Sequence, residues 1–277
     1  MSIVPAVRNV TSLFLGPVGD PPVPPIGGER PTIEAAVRDD AGNTFVTGTF
    51  TAARTKVGGV DLLKSPASRA DLFVALLDRS GAALWVVNFG SLRSPVKPVA
   101  RAIAIDGAGT VFVAGSYDGG SFDDLNLPAA DEESGFVLRL GMLGGVDWTA
   151  PVMQGRLVVG DMALDAAAKA LFLSGAAGGG TRAQRPASQS AEGVVARLDS
   201  ASGSVQWLRR IPGAGGNPRG QAIVLDGDSR HLYLAGDIST AAMLPPTVQS
   251  NRDGRFILRL DYDGSDVDAI EGPISGR

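Results

Sequence analysis

The side chains able to do chemistry in this 277-residue chain are mostly carboxylates and guanidiniums, since it has a single histidine, His231, and no cysteine. That composition removes cysteine nucleophiles, disulfides and histidine-rich zinc or iron centres together, because each needs groups the chain lacks. A Ser-His-Asp site would have to use His231, which starts a strand straight after residues 226–230 and reads as an ordinary turn residue. Two acidic groupings remain. Asp118, Asp123, Asp124, Asp131, Glu132 and Glu133 crowd one stretch, while Asp261, Asp263 and Asp266 alternate around Gly264 in a pattern that suits a hard cation such as calcium. No glutamate follows that second group at the EF-hand position, so these three are calcium candidates only and no metal is assigned. The basic counterparts are Arg54, Lys56, Lys64 and Arg69 in an earlier stretch, and Arg182 and Arg185 in a later one.

What must position these residues is a tandem repeat. Val46-Thr47-Gly48 returns as Val113-Ala114-Gly115, Leu173-Ser174-Gly175 and Leu234-Ala235-Gly236, at spacings of 67, 60 and 61 residues. An aspartate turn precedes each, at Asp39, Asp106, Asp165 and Asp226, and these read as hairpin connections. After each glycine comes a second strand-like segment: 73–78, 136–141, 194–199 and 256–261. A glycine turn then leads to Trp85, Trp148 and Trp207 in the first three repeats, and the fourth has no tryptophan. Four short strands per unit in a meander make a propeller blade, and the expected fold is an all-β propeller of four blades with almost no helix.

The pattern Asp-x-x-Gly-Asn-x-x-Val-Thr-Gly followed by Phe-Val-Ala-x-Leu-Asp-x-x-Gly-x-x-x-Trp, best seen over residues 39–85, resembles the bacterial β-propeller repeat family labelled SBBP. Later repeats are looser, with Gly141 in place of the aspartate and Val194 in place of phenylalanine. The resemblance implies a propeller and a secreted or surface location in bacteria, with function mostly unassigned in the family. Residues 1–31 are read as an N-terminal strand and a Pro/Gly-rich linker, and 32–277 as the repeat domain, with blades at about 32–95, 96–155, 156–215 and 216–277. Residues 11–16 have the pattern of a fourth strand, and the expectation is that they pair with 256–260 to close the ring, Phe14 standing where other blades keep tryptophan. The competing expectation is an open arc completed by a second chain.

A net charge of −4 offers no broad basic field, so nucleic acid is not an expected partner. No apolar run approaches the length of a membrane helix, so no membrane insertion is expected, and the N-terminus lacks the basic start and apolar centre of a signal peptide. In a meander the tight turns gather at one end and the long second-to-third-strand loops, 49–72, 116–135, 176–193 and 237–255, at the other. Loops on a rigid frame are where binding tends to live. The expected ligand face is therefore Arg54, Lys56, Lys64, Arg69, Tyr117, Asp118, Phe122, Asp123, Asp124, Arg182 and Arg185. The three tryptophans are read as inter-blade packing, and Arg139, Arg197 and Arg259 as blade-edge salt-bridge partners. The functional expectation is a non-enzymatic interaction or surface scaffold, without cofactor or catalytic residue, binding a protein or glycan as a monomer or ring-completing homo-oligomer. A carbohydrate-binding module, which would use the aromatics Phe50, Phe89, Tyr117 and Phe122, and a polysaccharide-acting enzyme are the alternatives.

Overall fold

Each aspartate turn of the sequence closes a hairpin, and the computed structural model, which describes residues 30–178, 192–211, 219–237, 248–250 and 255–265, builds its sheets outward from those hairpins. Sheet I holds β1 (Thr32–Arg38) and β2 (Thr44–Phe50), a small separate hairpin of β3 (Arg54–Val57) and β4 (Val60–Leu63), then β5 (Asp71–Leu77) and β6 (Ala83–Phe89), in the order β1-β2-β5-β6. Sheet II holds β7 (Lys97–Ile105) and β8 (Val111–Asp118), an excursion of β9 (Gly120–Phe122), a 3-10 turn (Asp123–Leu125) and β10 (Leu127–Ala130), then β11 (Ser134–Leu140) and β12 (Val146–Pro151). Sheet III runs β13 (Leu157–Asp165), β14 (Ala170–Ala177), β15 (Glu192–Asp199) and β16 (Val205–Ile211). Sheet IV contains β17 (Arg219–Asp226), β18 (His231–Asp237), β19 (Val248–Ser250) and β20 (Arg255–Asp261), in the order β17-β18-β20-β19. All pairings are antiparallel, and that 3-10 turn is the only helical element among the described residues.

The repeated glycine has a steric cause. The first strand of each sheet carries a bulge, at Ile33/Ala35, Ala100/Ala102, Val159/Asp161 and Gly220/Ala222. Just before the bulge a carbonyl turns toward the second strand. A Cβ on Gly48, Gly115, Gly175 or Gly236 would collide with the oxygen of Thr32, Val99, Val158 or Arg219 respectively. The rings of Phe73, Phe136 and Phe256 lie over three of these glycines, and where sheet III has Val194 the Leu157 side chain fills the space. The aspartate turns are held by their own carboxylates. Asp106 Oδ1 accepts from the amides of Ala108 and Thr110, both at 2.9 Å, and even the irregular Asp165 turn keeps an Ala168 amide bond of 2.9 Å.

Successive sheets pack face on face, so each has a leading face toward the preceding sheet and a trailing face toward the next. Phe45, Leu72, Val74 and Phe89 on the trailing face of sheet I meet Val111, Val113, Phe136 and Leu138 of sheet II. Phe112, Ala114 and Val137 meet Leu171, Leu173 and Val194 at the next joint, and Phe172 and Val195 meet Leu232, Leu234 and Phe256 at the last. Each fully buried side chain of this kind contributes roughly 1.5–3 kcal/mol.

Tryptophan locks every joint, as the sequence suggests. A Cβ added to the left-handed turn glycines Gly144, Gly203 and Gly264 would lie 3.0, 2.7 and 3.1 Å from the indoles of Trp85, Trp148 and Trp207 in the preceding sheet. Trp85 and Trp207 also donate Nε1–H, each at 3.0 Å, to the carbonyl two residues before that glycine, those of Met142 and Tyr262. Arg139 and Arg197 donate to the same carbonyl position, Ala201 and Tyr262, at 3.3 Å each, and lie over Phe112 and Phe172. Their main work is thus at the joint, with Asp147 a further ion partner of Arg139 at 3.4 Å.

The ends of the array differ from its middle. Val57 and Leu62 of the β3–β4 hairpin cover Val46, Phe50, Phe73 and Ala75 on the leading face of sheet I. In sheet IV, β19 pairs with 256–258, the edge expected for residues 11–16, which lie outside the described residues. The inner strands β1, β7, β13 and β17 pack in sequence, each on the next, and β17 makes no comparable packing on β1.

Candidate functional site at the inner-strand bulges

The loop residues expected to face a ligand are largely occupied by the chain itself. Arg54 pairs with Asp61 at 2.8 Å and Lys56 reaches the same carboxylate at 3.7 Å, both inside the β3–β4 hairpin. Lys64 donates to the carbonyls of Ser65 and Ser68, and Arg69 pairs with Asp118 while donating to the Pro95 carbonyl at 2.7 Å. Asp123 accepts from Ser91 and Ser121 at 2.6 Å each, which holds its carboxyl below the usual range, and Asp124 accepts from the Gly90 amide at 2.7 Å. These bonds lock the excursion of sheet II onto the end of sheet I. Tyr117 and Phe122 are core residues stacked with Phe136, and Phe50 and Phe89 are buried as well, so none of the four presents a ring to a glycan. Arg182 and Arg185 lie outside the described residues.

The calcium candidates turn inward too. Asp263 accepts from the amide and hydroxyl of Ser265, which lowers its pKa, and Asp261 pairs with His231 at 3.0 Å. Asp266 lies outside the described residues, among which no three acids or imidazoles are grouped to hold a metal ion.

The bulges bring different residues together. A bulge leaves one residue without a partner on the neighbouring strand and re-aims its side chain. Here the four unpaired residues are Glu34, Arg101, Gly160 and Gln221, at one level of the four inner strands. Glu34 reaches the second bulge, where the Ala100 backbone and the Arg101 guanidinium favour its charged form, while Thr49 Oγ1 donates to Oε1 at 3.0 Å. Burial outweighs them and raises the carboxyl above its ordinary value of 4.5. Its Oε2 is shielded from solvent and has no hydrogen-bond partner among the described residues.

At the third and fourth bulges the backbones touch, since a Cβ on Gly160 would strike the Gly220 carbonyl. The neighbouring Asp161 is buried and clamps the two strands, accepting from Met162 at 2.8 Å and from Ile223 across the joint at 3.0 Å. Gln221 is exposed and donates to Asp237. A protonatable carboxyl beside an exposed guanidinium can hold an anion and exchange a proton with it. Sequence reading passed over Glu34 because it lies in no motif. The signal was its alignment, 14 residues before the repeat glycine, with Arg101 in the next repeat.

No protein-family model matches the chain, and no curated protein matches it by sequence. Among solved structures it is similar to cobalt-substituted Synechocystis ACO, with 13% identity, 86% of this chain and 48% of that one covered, and a TM-score of 0.41. The quinohemoprotein alcohol dehydrogenase ADHIIG from Pseudomonas putida HK5 gives 13% identity, 84% and 34% coverage and a TM-score of 0.44. That from Comamonas testosteroni gives 11% identity, 87% and 45% coverage and a TM-score of 0.36. The chain spans a third to a half of their lengths. The all-β array is given by the chain's own sheets, and no substrate or cofactor is carried across from these structures.

The expected non-enzymatic scaffold is corrected here. Among the described residues, the loop face that was to serve as the interaction surface is spent on the chain's own bonds.

Proposed function

We propose that sheets I to IV are consecutive blades of a propeller and that the inner-strand bulges form an axial site for a small organic anion, with Arg101 as anchor and Glu34 as the proton-exchanging group. The observation that carries this is the Glu34 carboxyl, raised by burial, with Oε2 unpartnered and Arg101 beside it. A ligand carboxylate or phosphate would pair with the exposed guanidinium, and its negative charge there would raise the proton affinity of the shielded Glu34 carboxyl. A sugar acid offers such a carboxylate on one small frame.

Calorimetric titration of the full chain with glucuronate, citrate and inorganic phosphate tests the reading. Glucuronate should bind, and Arg101→Ala should weaken it by about tenfold or more, some 1.4 kcal/mol. Glu34→Gln should keep the anion site but remove the proton uptake or release that accompanies binding in two buffers of different ionisation heat. No heat with any of the three anions, or binding untouched by Arg101→Ala, rejects the proposal.

A further inference from the structure

Among the described residues, every internal face of the array is covered by a neighbouring sheet, and no sheet covers its two ends. On the trailing face of sheet IV, Tyr233, Ala235 and Ile257 are only half-buried, whereas the matching positions Phe112, Ala114 and Val137 of sheet II are fully covered. At the leading end, Ile33, Val60, Leu63 and Leu84 are 45%, 42%, 68% and 57% exposed, four large apolar side chains of sheet I and its hairpin.

The hairpin does not close that end off. The corresponding excursion of sheet II, between its second and third strands, lies inside the joint between sheets I and II. Its Phe122, Leu125 and Leu127 join that core, Asp124 bonds the Gly90 amide at 2.7 Å, and the Leu125 carbonyl accepts from Thr149 at 2.6 Å. By the same placement, β3–β4 is half of a joint whose other half, a preceding sheet, is missing. The trailing face of sheet IV is the complementary half. Yet β17 does not pack on β1 as the other inner strands pack on their neighbours, so the described inner strands of sheets I and IV do not meet.

We propose that two copies of this chain associate head to tail, the trailing face of sheet IV of each against sheet I and the β3–β4 hairpin of the other, closing one ring of eight sheets. A head-to-tail contact closes into a ring when its rotation allows, and eight is within the span of known propellers, about four to eight blades. The ring completes the axial site as well. Within the chain, the first bulge meets the second at Glu34 and Ala100 and the third meets the fourth at Gly160 and Gly220, and in the ring the Gln221 bulge of one copy would meet the Glu34 bulge of the other. This rests on the blade reading, but molecular mass tests it without reference to ligand binding.

Sedimentation velocity of the full chain, from low to high micromolar concentration, should give a species of twice the chain mass. Leu63→Asp at the leading end and Ile257→Asp at the trailing end should each yield monomer. An equimolar mixture of the two should recover a two-copy species, because one native joint remains between them. Leu63 is exposed, so its variant should fold as the parent does, and Tyr233→Lys replaces Ile257→Asp if the latter loses its β-sheet circular dichroism. A single-copy mass throughout, a ladder of larger species, or a dimer untouched by Leu63→Asp overturns the proposal.

Discussion

Burial holds the Glu34 carboxyl above 4.5, because ionisation would place charge where water cannot solvate it, a cost that the Thr49 and Ala100 hydrogen bonds and the Arg101 charge offset only in part. Between 4.5 and that raised value the folded protein keeps a proton that the unfolded chain has released, so this contribution falls as pH rises across the interval and is complete below it. Urea unfolding of Glu34→Gln across that interval should lack this decline, and the variant should gain on the parent toward neutral pH. The turn aspartates act with the opposite sign. Serine hydroxyls bonded to Asp78, Asp199, Asp226 and Asp263 hold their carboxyls below 3.8, so their contribution is present above 3.8 and is lost as pH falls through the lowered values. Gly115 makes a separate point. With the Val99 carbonyl and the Phe136 ring in the way of a Cβ, Gly115→Ala should cost about 1–3 kcal/mol in denaturant unfolding. Gly107→Ala, with open space around it, should stay within about 0.5 kcal/mol of the parent.

Among the elements, legibility followed repetition. The glycine, the aspartate turns and the tryptophans recur, and each marks a contact that every sheet must make: a bulge carbonyl, a hairpin, a joint. Features confined to one sheet left no such trace. The β3–β4 hairpin and the excursion of sheet II both fall in stretches read as loop, because each is used once and follows no shared pattern. For the same reason the polar side chains there read as a ligand face, although Asp123, Asp124 and Arg69 bond across loops to residues distant in sequence, which spacing alone does not reveal. Glu34 was hidden because a bulge is a matter of register. The joints make a further prediction. Trp207 spans sheets III and IV through Gly264 and Tyr262, so Trp207→Ala should cost about 3 kcal/mol, the low end for a large aromatic because the indole is only half-buried. Hydrogen exchange should show amides of β18 and β20 losing protection first, while β8 and β11 keep theirs.

For the whole molecule, the covalent order of the sheets is also their packing order, so stability is close to a sum of sheets and nearest-neighbour joints. Each joint carries one tryptophan, and the chain has three in all. Trp85 and Trp207 donate to a carbonyl, but the buried Nε1 of Trp148 finds no acceptor among the described residues. The molecule therefore has a built-in optical reporter for each seam. An indole without a hydrogen bond and away from water emits at shorter wavelength, so Trp148 should be the bluest of the three. Variants that keep one tryptophan and replace the others with phenylalanine would let the seams be watched opening one at a time, by emission colour during a single denaturant ramp.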